Sequence, residues 1–170
     1  ANLMIGLVSS MAAVSAGAQP VEMEGQKFEP TVQVGGQTLN LNGVGLRRRA
    51  IFKVYVAGLY VPQKSTSAAT LINDKGARRV SLRMLRDVDA GSFIDSFNDG
   101  LKNNLTDAQL TALKPQMDAL TATLKSIGEA KKGDTISFDY TPESGTRISV
   151  NDQPRGDLIQ PRTGRPQTPA

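Results

Sequence analysis

Gly43-Val-Gly-Leu-Arg-Arg-Arg-Ala-Ile-Phe-Lys-Val-Tyr-Val-Ala-Gly-Leu-Tyr-Val61 decides how this chain is read. Two glycines two apart lead into Arg47, Arg48 and Arg49, and these lead into a strand that opens Phe52-Lys-Val-Tyr-Val. From Ala50 the even positions Ala50, Phe52, Val54 and Val56 are apolar, while the odd ones mix Arg49, Lys53 and Tyr55 with aliphatics. Successive side chains of a strand point to opposite faces, so this period of two predicts one well-buried face and one mixed face. Arg79-Val-Ser-Leu-Arg-Met84 repeats the alternation more cleanly. The two segments predict central antiparallel strands with one face on a core.

Outward from this pair, Gly35-Gly36 separates Phe28–Val34 from Gln37–Leu41. Both glycines accept a positive φ, which predicts a tight β-hairpin. Ser65-Thr-Ser67 offers hydroxyl N-caps for a short helix through Ile72. Asp89 caps a second helix whose Phe93, Ile94, Phe97, Leu101 and Leu105 form one apolar stripe. Thr106-Asp-Ala-Gln109 is a capping box opening a third helix. Pro115 is expected to break or restart it, because proline lacks the N–H donor and clashes with the preceding turn. Met117, Leu120, Leu124 and Ile127 then continue an apolar stripe. Asp134–Tyr140 and Arg147–Val150, joined through Thr141-Pro-Glu-Ser-Gly-Thr146, predict a closing hairpin. Strands, helices, then strands give an α+β fold, an antiparallel β-sheet packed on one face by helices.

The 170 residues carry 20 Lys and Arg against 16 Asp and Glu, a net charge of +4, with no Cys and no His. The usual zinc, copper and Fe–S ligand sets, a histidine-held haem, a Cys nucleophile and a Ser-His-Asp triad are thereby excluded, and no cofactor or metal is expected. The mild positive excess suits an anionic ligand or surface and falls short of a nucleic-acid-binding balance, so no nucleic-acid partner is expected. Leu3–Ala18 is uncharged and ends Ala16-Gly-Ala18 before Gln19-Pro20, the small-x-small pattern read by a signal peptidase. It predicts a signal peptide over residues 1–18, cleaved after Ala18, and a periplasmic or secreted protein. The run is too short and too rich in Ser, Gly and Ala for stable membrane insertion. Residues 19–25 are expected to form a flexible N-terminus and 26–156 a single domain. After Gly156 the chain has no apolar period and holds Pro161, Pro166 and Pro169, which predicts a disordered tail over 157–170. The sequence sets no oligomeric state.

Together with the quoted stretch, three further segments resemble the chalcone isomerase-like family in its bacterial secreted branch. They are Arg78–Leu85 leading into Arg86-Asp-Val-Asp89, the helix end Gly100-Leu-Lys-Asn-Asn104, and Lys132-Gly-Asp-Thr-Ile-Ser-Phe-Asp-Tyr140. The resemblance covers roughly Gln26 to Arg155 and implies an open-faced β-sandwich with a ligand cleft between sheet and helices. It also implies an apolar helix pair after Gly156 that this sequence does not carry, so the C-terminus is expected to be either shortened or shifted in frame.

By this resemblance Arg47 points into the cleft and holds an anionic or polarised oxygen, a task a guanidinium performs bidentately. The other reading makes Arg47, Arg48 and Arg49 a solvated turn. Tyr55 and Tyr60 lie in the strand that lines the cleft, Tyr55 near the place where plant enzymes that cyclise chalcones offer a threonine hydroxyl. Their alternative is an aromatic half-buried on the sheet with its hydroxyl at the rim. Arg47 and Tyr55 are eight residues apart, roughly 26 Å on a straight strand at about 3.3 Å per residue. They share one small headgroup only if the chain turns or bulges between them. Arg83 either projects into the cleft or serves a structural salt bridge. Asn104, beside Asn103, either binds ligand or caps its helix, and Lys53 either meets a ligand carboxylate or stays solvated. The expected function is binding of a small amphipathic ligand, a fatty acid or similar carboxylate. A cofactor-free isomerase of the chalcone-to-flavanone type, an intramolecular lyase, is one alternative. An envelope interaction protein using the arginine run is another.

Overall fold

The computed structural model describes residues 18–160, so residues 1–17 of the expected signal peptide and 161–170 of the expected tail lie outside it. Three short strands come first, β1 (Val21–Met23), β2 (Gln26–Phe28) and β3 (Thr31–Val34). The quoted stretch falls on β4 (Gln37–Arg49) and β5 (Phe52–Val61). There follow α1 (Ala68–Asn73), β6 (Arg78–Met84), α2 (Ala90–Asn104) and α3 (Asp107–Ile127). β7 (Thr135–Thr141), β8 (Gly145–Val150) and β9 (Gln153–Ile159) close the order. β3 to β9 form one seven-stranded sheet in sequence order, and β1–β2 form a separate hairpin. All pairings are antiparallel. The sheet curls into a half-barrel: a Cβ built on Gly35, in the β3–β4 turn, would come 3.0 Å from Thr141 Cγ2 at the end of β7.

Both faces of this sheet are packed. On one face Tyr55 and Ala57 join Leu82, Met84, Ile136 and Ile148 beneath Phe93 of α2 and Leu120 and Ile127 of α3. On the concave face Val56 and Tyr60 join Phe28, Val34, Leu39 and Leu41. β5 is therefore apolar at odd and even positions alike, which is why its alternation reads as mixed. Two bulges tune which side chains go where. Leu41 pairs with Tyr60 and Gly43 with Leu59, leaving Asn42 as an extra residue on β4. Asn42 Oδ1 accepts a hydrogen bond from the Ser65 amide at 2.8 Å, which pins the bulge. Arg47 pairs with Tyr55 and Arg48 with Lys53, leaving Val54 as the extra residue on β5. An added residue breaks the two-residue period, so side chains beyond it change faces.

The helix caps follow their sequence signals. The Ser67 hydroxyl accepts from the Thr70 amide, the Asp89 carboxylate from Ser92, and Thr106 and Gln109 form a reciprocal capping box. Three expectations are corrected. The segment placed in a flexible N-terminus forms β1, because Glu24 and Gly25, at φ 51° and 73°, turn the chain back on itself. Pro115 sits inside one continuous α3 and does not break it. Its missing N–H removes a single rung, while Thr123 and Leu124 of the same helix stay buried. The ordered chain runs past Gly156 to Ile159, so residues 157–159 belong to a strand and not to a disordered tail. Asn151 and Asp152, at φ 50° and 65°, form the returning turn. β9 is an edge strand, where Pro154 can face outward without costing a ladder bond, and Ile159 is buried among the residues under the helices.

Candidate functional site

The turn at Ala50–Ile51 folds the quoted stretch back on itself, so Arg47 and Tyr55 become direct cross-strand partners. The straight-strand separation of the sequence reading is thus abolished, and both residues project from the face that carries the helices. The next pairs on that face are Gly45 with Ala57 and Gly43 with Leu59. A Cβ built on Gly43 or Gly45 would meet nothing within 4 Å, so the surface above both glycines is open. The arrangement is a smooth floor of small and aliphatic residues that ends in one guanidinium and one phenol. Arg47 is exposed, Tyr55, Ala57 and Leu59 are half-buried, and among the described residues Arg47 makes no ion pair. Phe93 of α2 packs against the same core cluster as Tyr55 and Ala57. Phe97, one turn further along the helix, is 37% exposed.

The remaining candidates lie elsewhere. Tyr60 is on the concave face, 2% exposed, and its hydroxyl donates to the Glu29 carbonyl at 2.8 Å. Burial pushes its phenol above the usual value, an effect that nearby Arg83 and Arg79 partly offset. Arg83 is cross-strand to Val56 on that same concave face. Its guanidinium lies 4.9 Å from the centroid of the Phe28 ring, and Nη1 donates to Thr135 Oγ1 at 3.3 Å. Its Nε is buried without a partner. The structural salt bridge considered for Arg83 belongs instead to Arg79, whose Nε and Nη2 donate to the two Asp139 oxygens at 2.6 and 2.7 Å. Asn104 Nδ2 donates to the Gly100 carbonyl at 2.7 Å, closing the end of its own helix. Lys53 Nζ pairs with Glu24 Oε2 at 2.7 Å. Two surface hollows, of about 300 Å³ between α3 and β9 and about 760 Å³ around Gln63–Ser65 and α1, include neither Arg47 nor Tyr55. Among the described residues no group of three or more His, Cys, Asp or Glu side chains could hold a metal ion, and no helix is long and apolar enough to cross a membrane.

In the sequence Gly43 and Gly45 stand out only as the pair leading into the arginines, and Ala57 and Leu59 do not stand out at all. They become a site only through the register that sets Gly45 opposite Ala57 and Gly43 opposite Leu59.

Fold and site together define an α+β open-faced sandwich with a polar-ended, glycine-floored stretch of open surface on the helix-side face of its sheet. Residues 20–162 match the family described as chalcone isomerase-like, and the chain belongs to that family. It is similar to the solved structure of the Arabidopsis thaliana fatty-acid binding protein, with a TM-score of 0.63 and 16% identity over 84% of this chain and 83% of that one. At that identity the likeness concerns the fold. No curated protein matches the chain.

Proposed function

We propose that this protein binds a small amphipathic carboxylate, a fatty acid or a close relative, on the helix-side face of β4 and β5. Arg47 and Tyr55 take the carboxylate, since a guanidinium and a phenol can each donate to its oxygens. The acyl chain lies along Gly45 and Ala57 and then along Gly43 and Leu59. The single observation that carries this reading is the cross-strand seat of Arg47 beside Tyr55 at the end of a floor kept open by two glycines. From Arg47 to Gly43 the floor is roughly 13 Å long at about 3.3 Å per residue, suited to a medium-length chain. Family membership and the fatty-acid binding of the Arabidopsis neighbour support the class of ligand. The protein acts outside the inner membrane, a proposal motivated by the Ala16-Gly-Ala18 site, and an intact N-terminus on a cytosolic pool would overturn it.

Calorimetric titration with decanoate tests the binding. Arg47→Ala is expected to weaken it by about 1.5–3 kcal/mol, the worth of a charge-assisted hydrogen bond. Gly45→Leu is expected to fold normally, since its Cβ enters open space, and to block the floor. Equal small losses from Arg47→Ala, Arg48→Ala and Arg49→Ala would indicate a diffuse basic surface and end this reading. Turnover of a chalcone by the unaltered protein would favour the isomerase instead.

A further inference from the structure

The β4–β5 hairpin outruns its neighbours. β3 pairs with β4 only as far as Asn40, and β5 loses its other neighbour after the Tyr55–Met84 pair and the bond from the Leu85 amide to the Val54 carbonyl. Residues Arg48–Lys53 therefore project beyond the sheet by roughly 10 Å, about three residues at 3.3 Å each. Their tip is apolar. Ile51 is 83% exposed and Phe52 is 52% exposed, the two most exposed large hydrophobic side chains among the described residues, side by side. The turn uses Ala50 at φ 53°, followed by Ile51, where a two-residue hairpin favours Asn and Gly. Turn stability thus gives no reason for an isoleucine here. Cations ring the tip: Arg47, Arg48, Arg49 and Lys53 are exposed, and the Arg86 guanidinium lies 4.3 Å from the centroid of the Phe52 ring. Lys53 is paired with Glu24, whereas among the described residues Arg48 and Arg49 meet no carboxylate.

We propose that this tip docks the protein on an anionic lipid bilayer, with Ile51 and Phe52 entering the boundary between headgroups and acyl chains and the arginines lying on lipid phosphates. The overhang matches the roughly 5–10 Å to which peripheral apolar groups enter that boundary. Each cation near such a surface contributes about 1 kcal/mol. A bilayer needs no matching shape, whereas a stable protein partner buries about 800 Å² on each side, more than a hairpin tip offers. The proposal shares Arg47 with the carboxylate site, and its test alters only Arg48, Arg49, Ile51 and Phe52, none of which that site uses.

The test is co-sedimentation of the full chain with vesicles of equal parts phosphatidylcholine and phosphatidylglycerol, against pure phosphatidylcholine. Binding is expected to the mixed vesicles and to fall with added salt. Arg48→Gln with Arg49→Gln is expected to lower the partition coefficient about 25-fold, about fivefold for each cation. Ile51→Asn with Phe52→Thr is expected to lower it about tenfold or more while the charge is kept. Ile51→Asn alone, at an exposed turn position, answers the same question if the double variant does not fold. Equal binding to both vesicle types, or equal binding by the unaltered and tip-substituted proteins, would overturn the proposal. So would self-association that the same tip substitutions abolish, since the tip would then serve a second copy of the chain.

Discussion

Tyr55 and Tyr60 show how one side chain's environment follows from counting. They are five positions apart, an odd number, so on one strand they must face opposite ways. Counting alone separates the half-buried phenol beside Arg47 from the one sealed into the concave core, although the family resemblance sets both in the strand that lines the cleft. What is not legible is that the concave core exists at all: the Phe28 ring lies 2.6 Å from where a Cβ on Gly58 would sit, a contact made by a strand thirty residues away. Tyr60 carries a prediction. Tyr60→Phe removes the bond to the Glu29 carbonyl and is expected to cost about 1–2 kcal/mol, the penalty for a buried acceptor left unpaired. The raised phenol pKa adds a pH signature. Below the unfolded value of 10.0 the hydroxyl is protonated in both states and its contribution is complete. As pH climbs past 10.0 the unfolded chain ionises first and stability drains away. Alkaline melting curves should fall more steeply for the unaltered protein than for Tyr60→Phe, and parallel curves would refute the assignment.

Helices and strands differ in how openly the sequence announces them. The caps at Ser67, Asp89 and Thr106 are local devices, each a side chain bonding to an amide three residues on, and all three stand as expected. Proline is the opposite case. Pro115 and Pro154 both look like breakers, yet one sits inside α3 and the other on β9. Local rules count the bond a proline loses, while the folded protein sets that loss against burial of the whole element. Pro115→Ala tests this balance. The restored N–H can bond to the Thr111 carbonyl, the position is exposed, and no packing is removed. The variant is expected to be more stable by about 1–3 kcal/mol, read as a higher melting temperature. A melt that is unchanged or lower would mean that the proline is fitted to α3 by something other than its ring.

At the scale of the whole molecule the alternation of β5 and β6 and the order of elements carry the α+β class, the sheet and its helices. The site needed register as well. Arg47 and Tyr55 meet only because Ala50 adopts a positive φ, which no motif around it demands, and the floor opens only because Asn42 is extra. That asparagine has a further consequence. Before it, Leu39 and Leu41 feed the concave core, and after it, Gly43, Gly45 and Arg47 face the helices. Three nucleotides at codon 42 therefore set the phase of everything downstream on that strand. Their loss would turn Arg47 inward and carry Val44 and Leu46 out of the core they now support. Deletion of Asn42 is expected to abolish cooperative melting, whereas Asn42→Asp, which keeps an acceptor for the Ser65 amide, should melt like the parent. Within β4, then, one residue divides a segment that fills the concave core from a segment that carries the face on which the carboxylate site is proposed.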